Sequence, residues 1–107
     1  MTTMGNARDV VGFDRKITKI ELTRALRLMI SDEYEAVQIY SQVAEAIDDE
    51  RVKAVIMDIV REEQRHAAQF WDLLRQTDPY ESTVFNMAVE ENKELQANVK
   101  APKKARR

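Results

Sequence analysis

At 107 residues, with a formal net charge of −2 and no cysteine, the chain is one domain with a marginal core of its own, and disulfides, iron–sulfur clusters and thiolate-held zinc or rubredoxin-like iron are excluded. Lys100, Lys103, Lys104, Arg106 and Arg107 give residues 98–107 a charge of +5, leaving −7 for the remainder, an acidic body that attracts cations and argues against nucleic-acid binding. The first residues lack an apolar run of signal-peptide length and no later stretch reaches the roughly 18 apolar residues of a membrane span, so a cytoplasmic location with no membrane partner is expected.

Residues 1–17 show no periodicity and read as a flexible N-terminal arm. Thr18 followed by Glu21 has the form of a capping box, which starts a helix near Lys19. That helix runs to about Ile47 without Gly or Pro. Asp48 and Asp49 offer turn and N-cap chemistry, and a second helix extends from about Glu50 to Gln76. Asp78-Pro79-Tyr80-Glu81 is a further start signal, with an Asp cap, Pro at the first position and an acid at the third. A shorter third helix follows to about Gln96. The helical domain therefore spans 18–97, and residues 98–107, with Pro102 and five cations, read as a basic disordered tail.

Two apolar seams run along the long helices. The first is Leu22, Leu26, Met29, Glu33, Ala36, Tyr40, Val43, Ile47; the second is Val52, Ile56, Ile59, Glu63, His66, Phe70, Leu73. Spacings that alternate between three and four predict that each seam faces another helix. Glu33, Glu63 and His66 are the only strongly ionisable residues on them. A charge in that setting must be neutralised, paired or bound to a cation. Glu63 and His66 form Glu-x-x-His, which puts both groups on one face a turn apart. Carboxylate oxygen with imidazole nitrogen is a ligand set for non-haem iron, manganese or zinc. A turn near 48–49 makes the helices antiparallel, and Glu33 then lies level with Glu63 and His66, about 23 Å from the turn.

A lone hairpin leaves most of this apolar surface uncovered, because Leu28, Ile30, Val37, Ile39 and Ala44, then Val55, Val60, Ala67, Trp71 and Leu74, lie beside the seams. Exposed patches of that size predict association. The expected fold is all-α: an antiparallel two-helix hairpin plus a short C-terminal helix, dimerising into a four-helix bundle. Two-fold symmetry would supply two copies each of Glu33, Glu63 and His66, which is the donor inventory of di-iron carboxylate bundles.

The segments Asp-Glu-Tyr-Glu-Ala-Val-Gln-Ile-Tyr at 32–40 and Arg-Glu-Glu-Gln-Arg-His-Ala at 61–67 resemble the rubrerythrin-type ferritin-like superfamily, and within it the encapsulated ferritins. The resemblance covers about residues 19–96. It implies a dimer as functional unit within a homo-oligomer, usually an annular decamer, with a ferroxidase centre at the dimer interface. It implies a di-iron cofactor site with Glu33, Glu63 and His66 as ligands, for which manganese or zinc could substitute, and oxidation of Fe(II) to Fe(III) inside an encapsulin nanocompartment whose shell protein is the partner. It further implies a catalytic Tyr40 near the centre and a metal-approach path at Asp32 and Glu35. Family members carry an apolar docking peptide or a fused shell; this sequence ends in a basic run instead.

Under this reading Glu33 is the bridging carboxylate and Glu63 and His66 are terminal ligands, with carboxylates favouring the ferric state. Two other functions fit the same residues. One is a rubrerythrin-like peroxide reductase, which would need an external electron donor because there is no cysteine. The other is a non-catalytic helical assembly protein in which metal fixes the oligomer.

Overall fold

The computed structural model describes residues 15–99. Residues 1–14 of the expected arm and 100–107 of the expected tail lie outside the described residues. Three helices make up the described chain: α1 Lys19–Ala46, α2 Glu50–Thr77 and α3 Pro79–Ala97, and no described helix is long and apolar enough to cross a membrane. The all-α expectation holds.

Each helix start has a local cause. Thr18 Oγ1 accepts the Glu21 N–H at 3.1 Å while Glu21 Oε1 accepts the Thr18 N–H at 2.8 Å. These two bonds satisfy donors that the first turn would otherwise leave orphaned. Arg15 grips both oxygens of the same carboxylate at 2.7 and 2.8 Å. The Arg15 hydrogen bond, with the Thr18 N–H behind it, holds the Glu21 carboxyl down at about 2. Asp49 Oδ1 caps α2 by accepting from Arg51 and Val52 at 2.9 and 3.3 Å. Asp78 serves two helices. Its N–H closes α2 on the Leu74 carbonyl at 2.8 Å, and its carboxylate accepts from Tyr80 N–H at 3.2 Å to open α3, with Pro79 in the first turn.

The short loop over residues 47–49 folds α1 and α2 into an antiparallel hairpin, each helix 28 residues or about 42 Å long. Leu26 and Ile30 of α1 pack with Leu74 of α2, flanked by Phe70 and Trp71. Ala44, Val60 and Ala67 are also buried. The small side chains at 44 and 67 allow close approach of the backbones.

The buried row differs from the expected seams. Leu26 belongs to both, but Ile30, Ala44, Val60, Ala67 and Leu74 lie beside the a/d positions. The seam residues Met29, Tyr40, Val43, Val52, Ile59 and Leu73 are 38–47% exposed. The physical reason is the width of the apolar stripe. It exceeds the arc one neighbouring helix can cover, so the hairpin partner takes one edge and the other edge stays open within the single chain.

α3 is seated differently. It has no buried residue. Arg27 of α1 reaches Glu81 Oε1 through Nε at 3.1 Å and Nη2 at 2.6 Å, and Asp78 Oδ2 at 3.4 Å. Arg75 Nε donates to Ser82 Oγ at 2.9 Å.

Candidate metal centre

The hairpin brings Glu33, Glu63 and His66 together. Glu33 sits at the middle of α1, and the register set by the Leu26–Leu74 packing places it opposite the Glu63–His66 turn of α2. His66 Nδ1 lies 3.9 Å from Glu33 Oε2 and 3.7 Å from Glu63 Oε1. One donor atom from each residue lies within 4.8 Å of the others. Metal bonds of about 2.0–2.2 Å hold two donors no more than about 4.3 Å apart. The two histidine distances already fit that limit, and small side-chain rotations would bring all three donors onto one ion.

The three side chains border both environments. Glu33 is 18% exposed, Glu63 23% and His66 41%, so the cluster lies where the buried hairpin contact meets the open arc. Glu33 Oε2 is buried and has no hydrogen-bond partner. A buried carboxylate oxygen in that condition costs free energy unless a proton or a cation answers it. The Glu33 carboxyl is accordingly pushed up to about 7. Its leading cause is the adjacent Glu63 carboxyl, which favours a shared proton over two like charges; burial adds to the shift, and the Asp32 charge contributes less. Two oxygen donors and one imidazole suit iron, manganese or zinc. A single chain supplies three donors, too few to close the coordination sphere of a six-coordinate metal.

The remaining candidate residues lie apart from this cluster. Tyr40 is two turns along α1 from Glu33, about 10 Å along the axis, and 39% exposed on the open arc. Asp32 is partly buried next to Glu33, and Glu35 is exposed. The contact of Arg27 with Asp78 and Glu81 has no counterpart in the sequence reading, because pairs 51 and 54 residues apart leave no periodic signal. The same holds for a hollow of about 310 Å³ lined by Tyr34, Ala68, Trp71, Arg75, Glu81 and Phe85, from all three helices.

A family model described as EncFtn-like matches residues 14–92. The encapsulin nanocompartment cargo protein EncC of Myxococcus xanthus is 40% identical over 76 residues, covering 71% of this chain and 58% of that protein. The ferritin-like–encapsulin shell fusion protein of Pyrococcus furiosus is 38% identical over 86 residues, or 80% of this chain and 25% of the fusion. The chain thus spans less than two thirds of either relative. The crystal structure of the encapsulated ferritin domain from Pyrococcus furiosus superposes with a TM-score of 0.76 at 38% identity, covering 83% of this chain and 90% of that domain.

Proposed function

The chain belongs to the EncFtn-like family, the encapsulated ferritins, and from that premise we propose that it oxidises Fe(II) to Fe(III) at Glu33, Glu63 and His66. The observation that carries this reading is the convergence of two carboxylates and an imidazole, each offering a donor atom within 4.8 Å of the others. Iron is the substrate. Ferrous iron supplies the electron, and dioxygen takes it.

The residues have distinct tasks. Glu33, with its raised pKa, gives up a proton as the cation arrives, so the incoming charge replaces the proton shared with Glu63. Glu63 and His66 then hold the ion from one face of α2. Anionic oxygen donors stabilise the ferric product more than the ferrous substrate, which favours oxidation. Asp32 and Glu35 flank Glu33 at the surface and provide an acidic approach for the cation. Tyr40 supports the centre from the open arc.

The three donors of one chain call for more from a second chain. The apolar arc of Met29, Val43, Val52, Ile59 and Leu73 continues past the cluster on both sides, and a second copy laid against it would bury that surface and contribute its own Glu33, Glu63 and His66. We assign the functional unit to this dimer, within a larger homo-oligomer. An open helical assembly has no storage cavity of its own. The two relatives, one an encapsulin cargo and one fused to an encapsulin shell, support the shell protein as the partner that encloses the mineral.

The test is anaerobic loading with Fe(II) at one ion per chain, followed by dioxygen, with ferric absorbance as the readout. Rapid oxidation that Glu63→Ala abolishes is the expected result. Turnover only with peroxide and a reductant would assign a peroxide reductase instead, and binding without oxidation would assign a structural metal.

A further inference from the structure

We propose that the Met29 thioether takes up the peroxide formed by iron oxidation and becomes a methionine sulfoxide, an assignment that rests on the ferroxidase reading above. Met29 precedes Glu33 by four residues, which sets both on one face of α1, about 6 Å apart along the axis. Helical side chains lean back over the preceding turn, so the Glu33 carboxylate is carried towards the turn that holds Met29. Met29 also stays outside the hairpin contact. It is 38% exposed, whereas the next residue, Ile30, is 6% exposed and packs with Leu74. Met29 thus belongs to the open arc that borders the donors, and in the proposed dimer the second copy covers both together. The other apolar neighbours of the donors on this face, Ala36, Ile59 and Phe70, are hydrocarbon and inert to peroxide. Met57, the other methionine of the hairpin, lies about 9 Å along the axis from Glu63 and roughly a third of a turn round the helix.

The electron count supplies the oxidant at this point. Two ferrous ions, one from each chain's donors, give up two electrons. Dioxygen takes them with two protons and becomes hydrogen peroxide. The thioether sulfur attacks one peroxide oxygen: the O–O bond breaks, an S=O bond forms, and the other oxygen leaves as water. The sulfur loses two electrons and the peroxide gains them. Met29 needs no contact with bulk solvent for this step, because its oxidant arises within the same helix contact. Each pair of chains holds two such sulfurs against one peroxide per turnover. The capacity is therefore two turnovers, after which peroxide escapes, until a methionine sulfoxide reductase regenerates the thioether.

The test uses the full chain, loaded anaerobically with one Fe(II) per chain and then given dioxygen with catalase in the surrounding solution. Ferric absorbance is followed, and peptides of the product are analysed by mass spectrometry. The Met29 peptide should gain the mass of one oxygen atom, and the Met57 peptide should not. Catalase is too large to enter a helix contact and should leave that gain undiminished. Without catalase, peroxide released to solution should fall short of one per two irons in the first two turnovers and reach that ratio afterwards. Met29→Leu, which conserves volume, should remove the shortfall, and reduction of the spent wild type by a methionine sulfoxide reductase should restore it. Ferric absorbance with an unchanged Met29 would overturn this proposal alone. A gain that catalase abolishes, or equal gains at Met29 and Met57, would do the same. Absence of ferric absorbance would overturn the ferroxidase reading and this proposal with it.

Discussion

The two edges of the hairpin's apolar stripe have opposite fates. One edge, Leu26, Ile30, Ala44, Val60, Ala67 and Leu74, is at most 6% exposed and joins α1 to α2. The other, Met29, Val43, Val52, Ile59 and Leu73, is as apolar in composition and at least 38% exposed. Glu33, Glu63 and His66 stand on the boundary between them. In the proposed dimer, folding and association would draw on separate residues of the same helices. The donors sit where both contacts can reach them: the hairpin sets their register, and the open edge leaves room for a second set.

Substitutions on the two edges should therefore fail in different ways. The largest effect belongs to the closed edge. Leu74→Ala, at a side chain 1% exposed, should cost about 2–5 kcal/mol of stability, seen as a lower urea midpoint. A charge on the open edge should spare the fold and break association. Ile59→Glu should keep its helical circular dichroism while the solution mass falls towards one chain, because burying an unpaired carboxylate weakens a dimer by more than about 100-fold.

The boundary itself should respond to pH. The Glu33 carboxyl lies near 7 in the folded chain against 4.5 unfolded, so between those values the folded state binds more protons. In the metal-free protein this stabilisation is complete below about 4.5 and is lost as pH rises through 7. Urea unfolding at pH 5 and pH 8 should show the loss, and Glu33→Gln should remove it. Metal binding has the reverse sign and should strengthen across the same interval, since the ion displaces the proton. The smallest effect is expected at Tyr40: Tyr40→Phe should slow iron oxidation by about tenfold with no change in unfolding, whereas Glu63→Ala should remove oxidation.

Much of this organisation was legible in the residues. The Thr18–Glu21 box, the Asp49 cap and Asp78-Pro79 act within four residues of themselves, so helix starts at Lys19, Glu50 and Pro79 follow from local chemistry. The helix ends differ from the expected ones by a single residue, where caps are weaker. The level of Glu33 with Glu63 and His66 followed from rise per residue and loop length alone. The division of the stripe did not, because periodicity gives the apolar face of a helix and not which edge its neighbour covers. That choice rests on close approach at Ala44 and Ala67 and on Ile30 and Leu74 turning inward. The Arg27 contacts and the hollow beside Trp71 depend on the angle of α3, which no spacing along the chain encodes.

In the proposed assembly each chain holds half of a metal site and a second copy completes it. Sedimentation of the chain during anaerobic Fe(II) titration tests this most directly. Iron should bind near one ion per chain, and an even-numbered assembly should gain mass or stability as it does so, with both changes lost in Glu63→Ala. Iron bound as tightly by a solitary chain, or bound equally well without Glu63, would contradict it.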